Sequence, residues 1–171
     1  MSNQSQSNQN GSNENPVKYV PAGTGPAYCG PGDRITFLIT GAETGGTFFM
    51  AETLVAPGGG PPPHKHARED ESFYLQQGTL VLQVGGKTLT ASAGDFIYIP
   101  RGTVHCFKNV GEETVKMLTM TTPAGLENFF AEALLPAADI TDIPQIGEAL
   151  IGRAMKAAPK YGLELLLPVE R

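Results

Sequence analysis

Turn chemistry recurs so closely along this chain that little besides short strands fits between the turns. Gln77-Gly78, Gly85-Gly86, Ala93-Gly94-Asp95, Pro100-Arg101-Gly102 and Asn109-Val110-Gly111 follow one another at short intervals. Each contains a residue that accepts positive φ or fixes φ. The segments between them, 71–76, 79–84, 87–91, 96–99, 104–109 and 114–121, have strand composition or alternation. So do 33–40 and 47–55, on either side of the glycine-rich turn 41–46. A helical bundle is not interrupted this often. The pattern predicts a β-sandwich or barrel.

Beyond this region the period changes. Leu126, Phe129, Phe130, Ala133 and Leu134 fall at helical spacing behind Pro123, predicting a helix over 126–135. Asp142 is placed to cap a second helix through about Ala157, with Pro144 in its first turn and Gly162 as a stop. Two such helices on an all-β body must cover a barrel mouth, an outer sheet face or a partner subunit. The pattern leaves these three open. Residues 17–32 read as an extended, turn-rich arm. The polar run 1–16 is too poor in apolar side chains to offset the entropy of ordering, so it reads as a disordered tail. The expected organisation is therefore a tail (1–16), an arm with the first strands (17–57), a central unit (58–122) and a helical extension (123–171).

The remaining composition narrows the function. With 171 residues and 40% apolar side chains, the chain can bury one ordinary core. Twelve basic against 17 acidic side chains, with no basic stripe, argue against nucleic acid as a partner. No apolar run is long enough to span a bilayer. The first residues lack both the basic start and the apolar centre of a signal peptide, so a cytoplasmic location is expected. Cys29 and Cys106 form no disulfide framework and read as structural thiols.

All three histidines of the chain are spaced as if for one task. His64 and His66, behind Pro61-Pro62-Pro63, form a His-x-His pair, and His105 follows about forty residues later. On a strand, alternation sends both imidazoles of such a pair to one face. A third imidazole from another strand and a nearby carboxylate would complete a shell of three nitrogens and one oxygen. That set suits a divalent transition ion better than Ca²⁺ or Mg²⁺. Glu69, Asp70 and Glu71 compete for the carboxylate position.

Two blocks carry a family resemblance. Gly58-x5-His64-x-His66-x4-Glu71-x6-Gly78 resembles the first conserved motif of the cupin superfamily, and Gly94-x5-Pro100-x-Gly102-x2-His105-x3-Asn109 resembles the second. The resemblance implies an all-β fold, a jelly-roll β-barrel (double-stranded β-helix), here with two short C-terminal α-helices. It implies one metal ion inside, held by His64, His66, Glu71 and His105, and it favours Glu71 among the three carboxylates. Within the superfamily, 61–74, 100–109, 123–130 and the closing Tyr161-Gly162-Leu163-Glu164 are similar to bacterial single-domain quercetinase-like dioxygenases.

That likeness implies O2-dependent ring cleavage of a flavonol or another enolisable aromatic substrate, with Glu71 as the base. It also implies a homodimer, with 33–55 as candidate contacts. Four protein ligands leave one or two positions open on Ni, Mn, Fe, Co or Cu, an arrangement suited to catalysis. A four-coordinate structural zinc is the competing reading, although such sites usually include cysteine. Phe73 and Phe107, each two residues from a ligand, share its strand face. They are either core residues or the wall of a cleft for a flat substrate. Two other classes fit the same ligands: an O2-independent isomerase, and a non-enzymatic binder of metal or small molecules.

Overall fold

The computed structural model describes residues 17–137 and 148–166. The tail 1–16 and the Asp142 cap with its Pro144 lie outside these residues. Among the described residues there are twelve strands and three α-helices. The strands are β1 (Ala27–Gly30), β2 (Asp33–Ile39), β3 (Phe49–Val55), β4 (His64–His66), β5 (Asp70–Gln77), β6 (Thr79–Val84), β7 (Lys87–Ser92), β8 (Phe96–Ile99), β9 (His105–Lys108), β10 (Val115–Thr122), β11 (Leu135–Pro136) and β12 (Leu163–Leu165). The helices are α1 (Gly41–Thr44), α2 (Leu126–Ala133) and α3 (Glu148–Ala157). Within the described residues no helix is long and apolar enough to cross a membrane.

The strands form two antiparallel sheets. One has the order β11-β1-β2-β3-β10-β5-β8, the other β12-β4-β9-β6-β7. Alternation sets which side chains face inward: β3 buries Phe49, Ala51, Thr53 and Val55, and β10 buries Val115, Met117, Thr119 and Thr121. Register aligns these rows across the large sheet, with Met117 opposite both Thr53 and Leu75.

Two apolar clusters divide the interior. Phe73, Leu75, Val115 and Met117 of the large sheet pack with Leu80, Leu82 and Phe107 of the small one. The inner face of β2 and β3 is covered differently. Ile35, Phe37, Phe49 and Ala51 pack with Leu126, Phe129 and Ala133 of α2, Leu150 and Ala157 of α3, and Leu163 of β12. The helices therefore cover an inner sheet face.

This placement corrects the expected closed barrel. No ladder joins the two sheets among the described strands. Where the small sheet would have to continue over β2 and β3, α2 and α3 occupy the space instead, and β4, β9, β11 and β12 are only two to four residues long. The result is a two-sheet jelly roll with a helical flank.

Asn109 anchors the end of β9. It is fully buried and its amide donates to the carbonyls of Val55 and Glu113, while its Oδ1 accepts from the Gly111 amide. These bonds hold the turn after β9 to β3, leaving no polar atom of the side chain unpaired.

Candidate metal centre

The His-x-His strand is set between two partners. In β4, His64 lies opposite His105 of β9 on one side and Leu165 of β12 on the other, and His66 lies opposite Leu163. His64 and His66 are buried, while Lys65 turns outward to Glu164 at 3.0 Å. The loop before β4 passes so close to β9 that a Cβ on Gly60 would meet the Phe107 carbonyl oxygen at 2.1 Å. Gly60 also has φ +134°, so glycine is required there on two counts. Glu71 comes from the other sheet, on β5 opposite Thr121 and Ile99.

Four side chains converge. One nitrogen from each of His64, His66 and His105 and one Glu71 oxygen lie within 4.8 Å of one another. Exposures of 7% (His64), 3% (His66), 5% (Glu71) and 2% (His105) put the whole group out of bulk water. His105 Nε2 is 2.9 Å and His66 Nε2 is 3.5 Å from Glu71 Oε2. On the outer side of the ring, His64 Nδ1–H donates to the Pro62 carbonyl and His105 Nδ1–H to the Thr103 carbonyl, each at 2.9 Å. Such bonds fix the tautomer and leave Nε2 toward the centre.

The donor set fits a divalent transition ion. His66 has both ring nitrogens buried without a hydrogen-bond partner, and an ion bound at Nε2 satisfies one of them. Burial and the neighbouring His105 push His64 down to about 4, keeping it neutral as a ligand imidazole must be. Burial works against the charged forms of Glu71 and His105, but their mutual attraction prevails. Its contacts with His66 and the His105 hydrogen bond hold Glu71 well below the usual carboxylate range. The Glu71 carboxylate in turn raises His105.

The three competing carboxylates separate clearly. Asp70 turns away to Arg101, accepting from its amide, Nε and Nη2 at 2.9, 3.0 and 3.0 Å. Glu69 is buried beside His66, but its Oε2 approaches Nδ1, at 3.9 Å. Glu71 alone joins the three imidazoles. The cysteines stay outside this group; Cys29 is buried, Cys106 only partly, and no disulfide links them.

A cavity of about 560 Å³ opens beside the cluster, lined by His64, His66, Glu71, Phe73 and Phe107 among others. Phe73 and Phe107 meet edge to face, their centroids 5.5 Å apart. Both also belong to the buried cluster between the sheets, so core residue and cavity wall are one role here. Sequence reasoning missed the rest of the wall. Leu126, Phe129 and Phe130 of α2 and Ile151 and Ala154 of α3 also line it. The helical spacing revealed that these side chains were buried, but not against what. A hydroxyl pair, Thr53 and Thr119 at 2.8 Å, adds polarity to a largely apolar wall that also carries Gln83 and Lys108.

Asp33 also lines this cavity and carries a buried Oδ1 with no hydrogen-bond partner. Burial raises it from the ordinary 3.8 to about 6, although a Gly30 backbone hydrogen bond works against the shift. Between about pH 4 and pH 6 the unfolded chain releases a proton that the folded chain keeps, so this group lowers stability as pH rises through that window. Asp33→Asn is therefore expected to match the native protein near pH 4 and exceed it above pH 6 by on the order of 3 kcal/mol. Urea unfolding across that range checks the difference; parallel curves would mean that Asp33 is ionised at little cost.

Comparison with known proteins places these features in context. Residues 51–121 match the cupin domain family. The chain is 32% identical over 124 residues to germin-like protein 5-1 of Oryza sativa subsp. japonica, covering 65% of this chain and 56% of that protein. It is 28% identical over 100 residues to quercetin 2,3-dioxygenase of Bacillus subtilis, covering 58% of this chain and 29% of that one. Among solved structures, the polyketide cyclase RemF from Streptomyces resistomycificus is similar with a TM-score of 0.55 at 27% identity, over 62% of this chain and 79% of that chain. The chain thus spans a little over half of the germin-like protein and under a third of the quercetinase.

Proposed function

The chain belongs to the cupin superfamily, and from that premise we propose that it is a metal-dependent dioxygenase of quercetinase type. Its substrate would be a flavonol or another flat, enolisable aromatic molecule. The observation that carries this reading is the junction of the buried His/Glu cluster with a cavity walled largely by aromatic and aliphatic side chains. A volume of about 560 Å³ is within the range that encloses a drug-sized ligand.

In this reading His64, His66, His105 and Glu71 hold one divalent transition ion. Bound there, the ion supplies positive charge that acidifies a substrate hydroxyl and stabilises the resulting oxyanion. Glu71 accepts the hydroxyl proton. A carboxylate held below its usual range is a weak base, so the transfer depends on that acidification. Phe73 and Phe107 grip the ring system, and the side chains of α2 and α3 exclude water from it. Sequence likeness to a quercetin 2,3-dioxygenase supports the substrate class.

The decisive experiment is O2 uptake with quercetin, using apoprotein reloaded in turn with Ni, Mn, Fe, Co and Cu. Uptake that depends on metal and runs parallel with loss of the flavonol absorbance is the expected result. Stoichiometric metal binding without uptake would overturn the dioxygenase reading in favour of O2-independent chemistry or simple binding. The likeness to a polyketide cyclase keeps a different reaction on the same ligands as the specific alternative.

A further inference from the structure

The three imidazoles of the cluster are not held alike. His64 and His105 each give Nδ1–H to a backbone carbonyl two residues upstream. His66 has no such bond: its Nδ1 is buried and unpartnered. Glu69 is the complementary case, 3% exposed with an Oε2 that is buried and unpartnered. These two orphaned atoms are 3.9 Å apart. Glu69 lies on the Nδ1 side of the ring, whereas Glu71 lies on the Nε2 side.

We propose that Glu69 is the positioning residue of His66, accepting its Nδ1–H and so directing Nε2 to the ion. This rests on the cluster being a metal centre. Leaving a carboxylate oxygen and an imidazole N–H buried and unpaired is costly, and their union removes both penalties. The remaining gap of about 1 Å to hydrogen-bond length is within reach of a glutamate side chain with space around it. Glu69 borders a second cavity of about 310 Å³, shared with Arg68, Gly125 and Tyr161. Gly125 preserves that space, since a Cβ there would come within 3.3 Å of Glu69 Oε1. The absence of an upstream carbonyl partner is thus made good from a different element, and Glu69 is a third acceptor in a set otherwise supplied by backbone.

The test is ¹⁵N-histidine NMR of the Zn-loaded protein, with Zn affinity measured against a competing chelator. The native protein is expected to show a His66 Nδ1–H proton protected from exchange, with the metal on Nε2. Glu69→Ala is expected to lose that protection and to bind Zn about 10- to 100-fold more weakly. Glu69→Gln keeps an acceptor oxygen and is expected to recover part of both. Zn on Nδ1, an unprotected Nδ1–H in the native protein, or unchanged affinity in Glu69→Ala would overturn the role of Glu69 while leaving the centre in place. A native protein that takes up no Zn would refute the centre and this role together. The native spectrum decides the matter even if a variant fails to fold.

Discussion

A chain carrying His64→Ala together with His66→Ala is expected to lose metal binding by about 10⁴-fold or more while keeping its two sheets. A four-ligand transition-metal site is worth roughly 10–16 kcal/mol, hence about 3 kcal/mol per ligand, and two ligands are removed. The fold is expected to survive because β4 is held by its ladders to β9 and β12, which the backbone supplies whatever the side chains. The deleted rings also border an existing cavity, so their removal enlarges a space already present. Metal analysis after loading, with far-UV circular dichroism of the same sample, reads both quantities. Undiminished metal content would place the ion elsewhere. Loss of the β signal would show that the imidazoles serve the fold first.

The candidate ligands were legible in the sequence because their geometry is mostly local. His64 and His66 need only strand alternation to share a face, and the inward row Glu71, Phe73, Leu75 follows from the same rule on β5. Glu69 precedes that strand, so alternation said nothing of it, and its place beside His66 Nδ1 appears only in three dimensions. The strand segments were legible for the same reason as the turns between them. Barrel closure was not, because it depends on what lies opposite β2 and β3. The spacing of Leu126, Phe129 and Ala133 specifies a buried helix face, yet an inner sheet face, an outer one and a partner subunit all bury such a face equally well. β12 was missed because Leu163-Glu164-Leu165 is too short for a periodic signal. It is a strand only because β4 offers an edge beside it.

Glu71→Gln is expected to lower turnover by about 10²-fold or more at saturating metal, which separates a base from a ligand. The amide has nearly the same shape and can still offer an oxygen to the centre, so part of the metal affinity is expected to remain. What it cannot do is hold a proton taken from the substrate. The substitution also removes the negative charge that raises His105 and helps balance a divalent ion. Affinity is therefore expected to fall as well, and a rate measured at limiting metal would confuse the two effects. Titrating each protein to full occupancy before assay removes that ambiguity. If excess metal restores the native rate, Glu71 acts through the ion alone and another group must take the proton. If the loss persists at full occupancy, the proton transfer itself has been removed. Asp70 is tied to Arg101 and Glu69 lies on the far side of His66, so among the three carboxylates on this stretch no other is placed to substitute.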